Sequence, residues 1–222
     1  MKRTTLLIAA LGVIAAAGCG VRFNWSTPTR IGSGKLMTEQ RTAADFDQIV
    51  LLGAMDIEAA VGEEPAITVE ADDNLLEIIT TEIQNKKLVV STRENYSSKL
   101  SVKVKVRSPA LRVVELNGSG TIRAEGVSGQ SFDGTIRGSG DIVATGAVEK
   151  LRLTIAGSGN LNLGSLEAED AAVTISGSGD ATVRTVKTLD ATINGSGSVA
   201  YRGEPRVTKT IHGSGSVRPA SK

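Results

Sequence analysis

The tripeptide Gly-Ser-Gly recurs along the second half of this 222-residue chain, beginning at Gly118, Gly138, Gly157, Gly177, Gly195 and Gly213. The intervals are 20, 19, 20, 18 and 18 residues. A strand–helix–strand crossover takes about 30 residues or more, whereas these intervals fit two or three short strands and their corners. Two positions before each first glycine stand Leu116, Ile136, Ile155, Ile175, Ile193 and Ile211. Four positions after it stand Ile122, Ile142, Leu161, Ala181, Val199 and Val217, and the position before those is always polar: Thr121, Asp141, Asn160, Asp180, Ser198 and Ser216. A single coil of this length cannot bury its own apolar side chains. Coils stacked at about 4.8 Å can, because each pairs its backbone with the next and like side chains pile into columns.

The expected fold is therefore all-β, a single-domain parallel β-helix (solenoid) with coils of 18–20 residues. The glycine pairs at the corners, Gly118 and Gly120, Gly138 and Gly140, Gly157 and Gly159, Gly177 and Gly179, Gly195 and Gly197, and Gly213 and Gly215, are expected to be structural turn residues. The serine between them is expected to bond nearby backbone or the serine of the coil above. A looser glycine column stands at Gly126, Gly146, Gly164 and Gly203.

Upstream of the repeat the pattern is β-like but irregular. Ile49–Leu52, Met55–Ile57, Ile67–Val69 and Leu88–Val90 are short apolar or alternating runs separated by Gly53, Gly62 and Asn85-Lys86. Asp72–Glu77 is the one place where a helix could start, with Asn74 as cap, and a turn or two is expected there. A hairpin of Ile79–Ile83 with Leu88–Thr92 should follow, and Ser101–Arg107 alternates as a strand with one wet face.

The first residues read as an export leader: Lys2 and Arg3, an apolar run Leu6–Ala17, then Ala16-Ala17-Gly18 before Cys19. A run of this length is too short for a permanent membrane span. Cys19 is the only cysteine, so no internal disulfide can form, and the small residues before it match a lipoprotein cleavage site. Residues 1–18 are thus expected to be a lipoprotein signal peptide and 19–42 a lipidated Cys19 with a tether. Residues 43–219 are expected to be the domain, irregular over 43–107 and regular over 108–219. The expected partner of Cys19 is the membrane, and Gly20 in place of an aspartate favours the outer membrane of the cell envelope.

Several motifs reduce to structure. Gly32-Ser33-Gly34-Lys35 lacks the remaining residues of a phosphate loop, since Thr29 and Leu36 stand where Gly and Ser or Thr are required. Gly-Ser-Gly is not the Gly-x-Ser-x-Gly of a nucleophile turn, and one catalytic serine does not need six copies. His212 is the only histidine and belongs to a mostly polar column, so it reads as a surface residue. Asp141, Asn160 and Asp180 could ligate Ca²⁺, but a corner ladder of hydroxyls and amides suits their column better. Glu167-Ala168-Glu169-Asp170 reads as a solvated corner between coils. No catalytic residue, no metal site and no cofactor is expected. With 25 Lys and Arg against 24 Asp and Glu, nucleic acid is not an expected partner.

The chain resembles a bacterial family known as auto-transporter adhesin, head GIN domain. The resemblance rests on Gly32-Ser33-Gly34, Arg41, Phe46 and Ile49, Ile57 before Gly62, Ile67–Val69, Asp73-Asn74-Leu75-Leu76, Leu88–Val90 and the Gly-Ser-Gly coils. It implies an extracytoplasmic β-helix-like domain of adhesin type, and no catalytic or binding residues come with it. The expected function is a non-enzymatic envelope scaffold or binding module with a protein or glycan ligand. The alternative is a carbohydrate-active enzyme on the same fold, such as a polysaccharide lyase or hydrolase, which a carboxylate-lined groove would favour. Self-association through the β-helix ends is a further option, opposed by Lys209, Pro219 and Lys222 at the last coil.

Overall fold

The computed structural model describes residues 29–220, and these contain strands and turns with no helix. The leader, Cys19 and Lys222 lie outside the described residues. From Val113 to Pro219 the chain winds as a parallel β-solenoid of about five turns.

The stack is built from β10 (Val113–Gly118), β11 (Thr121–Gly138), β12 (Asp141–Gly157), β13 (Asn160–Gly177), β14 (Asp180–Gly195), β15 (Ser198–Arg202), β16 (Arg206–Gly213) and β17 (Ser216–Pro219). Each coil pairs in parallel with the next, and the register places Leu116, Ile136, Ile155, Ile175, Ile193 and Ile211 in one column. Ile122, Ile142, Leu161, Ala181, Val199 and Val217 form the other. Both columns are buried as far as Ile193 and Val199, while Ile211 and Val217 in the last coil are half-buried. Alternation explains the outcome: every second residue points inward, and the inward set is apolar apart from Thr185 and, in the last coil, Lys209.

The irregular part continues the same stack. β3 (Gln48–Gly53) lies under β10 and β4 (Asp56–Val61) under the start of β11, in parallel register. Gly53-Ala54-Met55 is therefore a degenerate copy of the corner, with Leu51 and Ile57 in the two apolar columns. Below it lie β7 (Lys87–Thr92) and β9 (Lys103–Ser108), again parallel.

At the N-terminal end the ladder then turns antiparallel. β6 (Ile79–Gln84) pairs with β7, β5 (Ala66–Asp72) with β9, and β2 (Leu36–Arg41) with β5. β1 (Thr29–Ile31) pairs with β8 (Asn95–Ser97).

Two expectations change here. The tether read up to Thr42 contains β1 and β2, so the fold has begun by Thr29. The physical reason is the loop Gly32–Lys35, which is tied down by residues far along the chain. The Gly34 amide donates to Asp72 Oδ1 at 2.5 Å, the Ser33 amide to Asn74 Oδ1 at 3.0 Å, and Ser33 Oγ to Asp73 Oδ1 at 2.6 Å. Asp72 is fully buried and also accepts from Ser98 Oγ. The loop amides thus face an internal carboxylate. Residues 73–78 form turns, and Asn74 caps the incoming loop in place of a helix.

Candidate functional site

Each Gly-Ser-Gly corner stacks directly on the one before. Gly177 is representative: its φ is +135°, and a Cβ there would lie 2.2 Å from the Gly157 carbonyl oxygen. That oxygen accepts the Ser178 amide at 2.9 Å, so the corner is stitched to its neighbour through backbone. Gly179 has ordinary φ but equally little room, since its Cβ would meet Gly159 O at 2.1 Å and Ile155 Cγ2 at 2.9 Å. The first glycine supplies a left-handed backbone and a close approach, and the second supplies the close approach alone. The serines between them are exposed. Their amides make the inter-coil bonds, as at Ser139, Ser158, Ser178, Ser196 and Ser214.

The polar column beside the corner forms a ladder. Asn160 Nδ2 donates to Asp141 Oδ1 at 2.9 Å, the Ser198 amide to Asp180 Oδ1 at 2.8 Å, and Ser216 Oγ to Ser198 Oγ at 3.2 Å. Asp56 joins from the degenerate coil by accepting the Thr121 amide at 3.1 Å. Among the described residues no group of three His, Cys, Asp or Glu side chains is placed to hold a metal ion.

The looser glycine column does not stack on itself. Gly146 lies over Val127 and Gly203 over Thr185, each too close to the carbonyl below for a Cβ. Register shifts fall nearby, at Ala124/Val127, Val143/Thr145 and Leu163/Glu167. The differing coil lengths are absorbed here by bulges, which leaves the Gly-Ser-Gly corner in register.

One outward column was missed in reading the sequence. Thr135, Thr154, Thr174, Thr192 and Thr210 are in register across successive coils, between the buried isoleucines and the next inward residue. The signal was present: threonine stands three positions before the first glycine in every copy but the first, where Glu115 stands. Small or short side chains flank the middle of this ladder at Ala156, Ala172, Ser176 and Asn194. Ion pairs border it: Arg152 with Asp133 at 2.9 Å, and Arg137 with Glu115.

Beside the Thr column lies a shallow depression of about 600 Å³, lined by Asp133, Glu149, Lys150, Arg152, Asp170 and Asp190 among others. Asp133 is tied to Arg152, and Asp170 accepts from Thr188 Oγ at 2.6 Å. No aromatic side chain lines it: Phe132 is in the core and Tyr201 is half-buried near the last coil. Glu167 and Glu169 sit within β13 and pair with Arg184 and Lys187 of the next coil at 2.7 and 2.6 Å. The hydrogen bond to Glu169 holds the Lys187 ammonium above its ordinary pKa. His212 is exposed, in register with Asn194.

The model of the family described as "Putative auto-transporter adhesin, head GIN domain" matches residues 45–205. Solved structures share the fold. A protein described as a putative adhesin from Bacteroides fragilis superposes with TM-score 0.70 at 21% identity, covering 86% of this chain and 99% of that one. A putative adhesin from Parabacteroides merdae gives 0.60 at 24%, covering 87% and 99%. A protein described as a putative lipid binding protein from Parabacteroides distasonis gives 0.56 at 25%, covering 87% and 100%. No curated protein matches the chain.

Proposed function

The chain belongs to the head GIN domain family, and from that premise we propose that it is an exported, lipid-anchored module. In this reading it holds a flat β-helix face out to a protein or glycan partner in the cell envelope and performs no chemistry of its own. The observation that carries the reading is the Thr135–Thr154–Thr174–Thr192–Thr210 ladder. Stacked hydroxyls at strand spacing form a rigid, regular array of donors and acceptors, ordered before any ligand arrives, so binding costs little side-chain entropy. The relatives described as adhesins support the same direction. The anchor is supported by Lys2-Arg3, the Leu6–Ala17 run and the small residues before Cys19, and the outer membrane by Gly20. The carbohydrate-active alternative has no comparable support, because the carboxylate-bearing depression is shallow, lacks aromatics and holds Asp133 and Asp170 in bonds to neighbouring coils.

Every described strand lies within Thr29–Pro219, so a chain starting at Gly20 retains all of them. That chain is to be screened on a glycan array and against envelope extracts, alongside Thr154→Lys/Thr174→Lys. A ligand retained by the parent and lost by the double variant, at equal melting temperature, supports the reading. Turnover of a bound glycan, or binding indifferent to the double variant, overturns it.

A further inference from the structure

We propose that the C-terminal coil is a docking edge for an extended acidic peptide segment, which would add one more strand to the stack. The proposal deepens the binding-module reading by assigning a second surface and its partner, and it does not require the anchor or the Thr face.

The two ends of the solenoid are built differently. At the N-terminal end, β5, β6 and β2 turn the ladder antiparallel and end it on β6 and β2. At the C-terminal end, β16 bonds to β14 and β17 to β15, and among the described residues no strand pairs with their other sides. β16, eight residues long, thus turns the backbone donors and acceptors of alternate residues outward. The apolar columns also run out uncovered: Leu189 and Ile193 are buried, whereas Val207 and Ile211, one coil further, are only half-buried.

Charge selects what can cover this end. Between Arg202 and Pro219 stand Arg202, Arg206, Lys209 and Arg218 against one carboxylate, Glu204. Arg202 reaches back toward Gly164, with Nη1 3.6 Å from where a Cβ of that residue would be. Arg206, Lys209 and Arg218 are exposed, and among the described residues none of them has a carboxylate partner. In the coils before, three cations are paired across the stack: Arg152–Asp133, Arg184–Glu167 and Lys187–Glu169. The last coil carries the cations of that pattern without the anions. Lys209 occupies the register position of Leu153, Val173 and Ala191, which puts a lysine at an interior column of the last described coil.

The same end of a second copy is the wrong occupant, because edge-to-edge pairing would set Arg206, Lys209 and Arg218 of both copies against each other. The charges that keep copies apart suit an acidic strand, which satisfies the open ladder through its main chain and the three cations through its side chains. An acidic glycan could answer the charge but not the row of backbone groups.

The test is fluorescence anisotropy on the chain starting at Gly20, with a labelled eight-residue peptide alternating Glu with Val and Thr. Three controls accompany it: the same peptide with Lys for Glu, the same peptide N-methylated at alternate residues, and polygalacturonate as a non-peptide polyanion. Saturable binding of the acidic peptide is expected, lost for the Lys and N-methylated peptides and weakened about tenfold or more by Arg206→Glu/Lys209→Glu/Arg218→Glu. Arg206→Gln/Arg218→Gln, a milder change, should weaken it by a smaller factor and serves if the triple variant does not fold. Equal binding of the N-methylated peptide, tighter binding of polygalacturonate, self-association of the chain through this end, or no binding of the acidic peptide would each overturn the proposal. Loss of the Thr-face reading would leave these titrations unchanged, so the two failures are distinguishable.

Discussion

Three glycine-to-alanine variants separate the two demands that the corners place on the chain. Gly129 has φ of +128° with nothing within 4 Å of an added Cβ, so it isolates backbone strain. Gly179 has ordinary φ, but its Cβ would lie 2.1 Å from Gly159 O, so it isolates the close approach of coils. Gly177 combines both, with φ of +135° and 2.2 Å to Gly157 O. Strain at a left-handed site costs about 1–2 kcal/mol, partly offset by about 0.4–1 kcal/mol from a stiffer unfolded chain, which leaves Gly129→Ala at about 1 kcal/mol. For Gly179→Ala, ordinary contact begins at 3.4 Å, so the coils must part locally by 3.4 − 2.1 = 1.3 Å. Overpacking of about 1–3 kcal/mol, with one or two weakened ladder bonds at about 1 kcal/mol each, brings the cost to about 2–5 kcal/mol. Gly177→Ala should cost about 1 kcal/mol more, because a φ of +135° adds backbone strain to the same close approach. For a chain of this size, about 2–5 kcal/mol corresponds to a fall in Tm of roughly 4–20 °C, readable by far-UV circular dichroism alongside urea titration. If Gly129→Ala proved as damaging as Gly179→Ala, strain and not stacking would govern the corners. If Gly179→Ala stayed within about 0.5 kcal/mol of the parent, the close approach of carbonyl to glycine would be wrong.

Further outcomes follow from the same geometry. Ile155 and Ile175 are fully buried and adjacent in one column; each Ala variant should cost about 2–5 kcal/mol and the double variant should depart from additivity, whereas Ile155 with Ile211, three coils apart, should add. Ser178→Ala should change stability by less than about 0.5 kcal/mol in the same titrations, since the side chain is exposed and only the amide is used in the stack. Asp72→Ala should cost about 2–4 kcal/mol by leaving the Gly34 amide and Ser98 hydroxyl without their acceptor, and limited proteolysis should then cut within the Gly32–Lys35 loop. Cys19→Ala should move the protein from membrane to soluble fractions, and mass spectrometry finding an unacylated mature Cys19 would remove the anchor from the proposed function.

A periodic stack repeats its contacts at a fixed interval along the chain, so period, inward columns and corner glycines can be read from the residues in order. The polar ladder of Asp141, Asn160, Asp180, Ser198 and Ser216 was equally legible for that reason, and the Thr column would have been on closer inspection. The N-terminal part differs because chain order and spatial order part company. β10 stacks on β3, while β7 and β9, which come between them in sequence, lie beneath. Leu51-Leu52-Gly53-Ala54-Met55-Asp56-Ile57 is a coil, yet its corner has lost both Ser and the second Gly, and its neighbour below has no glycine corner at all. Gly32–Lys35 reads as linker until Asp72, Asp73 and Asn74 are brought to it across about 40 residues of chain. Local pattern determined the solenoid, because each coil meets only its neighbours. Long-range pairing alone decided that the stack turns antiparallel at one end and, among the described residues, leaves β16 and β17 without a further strand at the other.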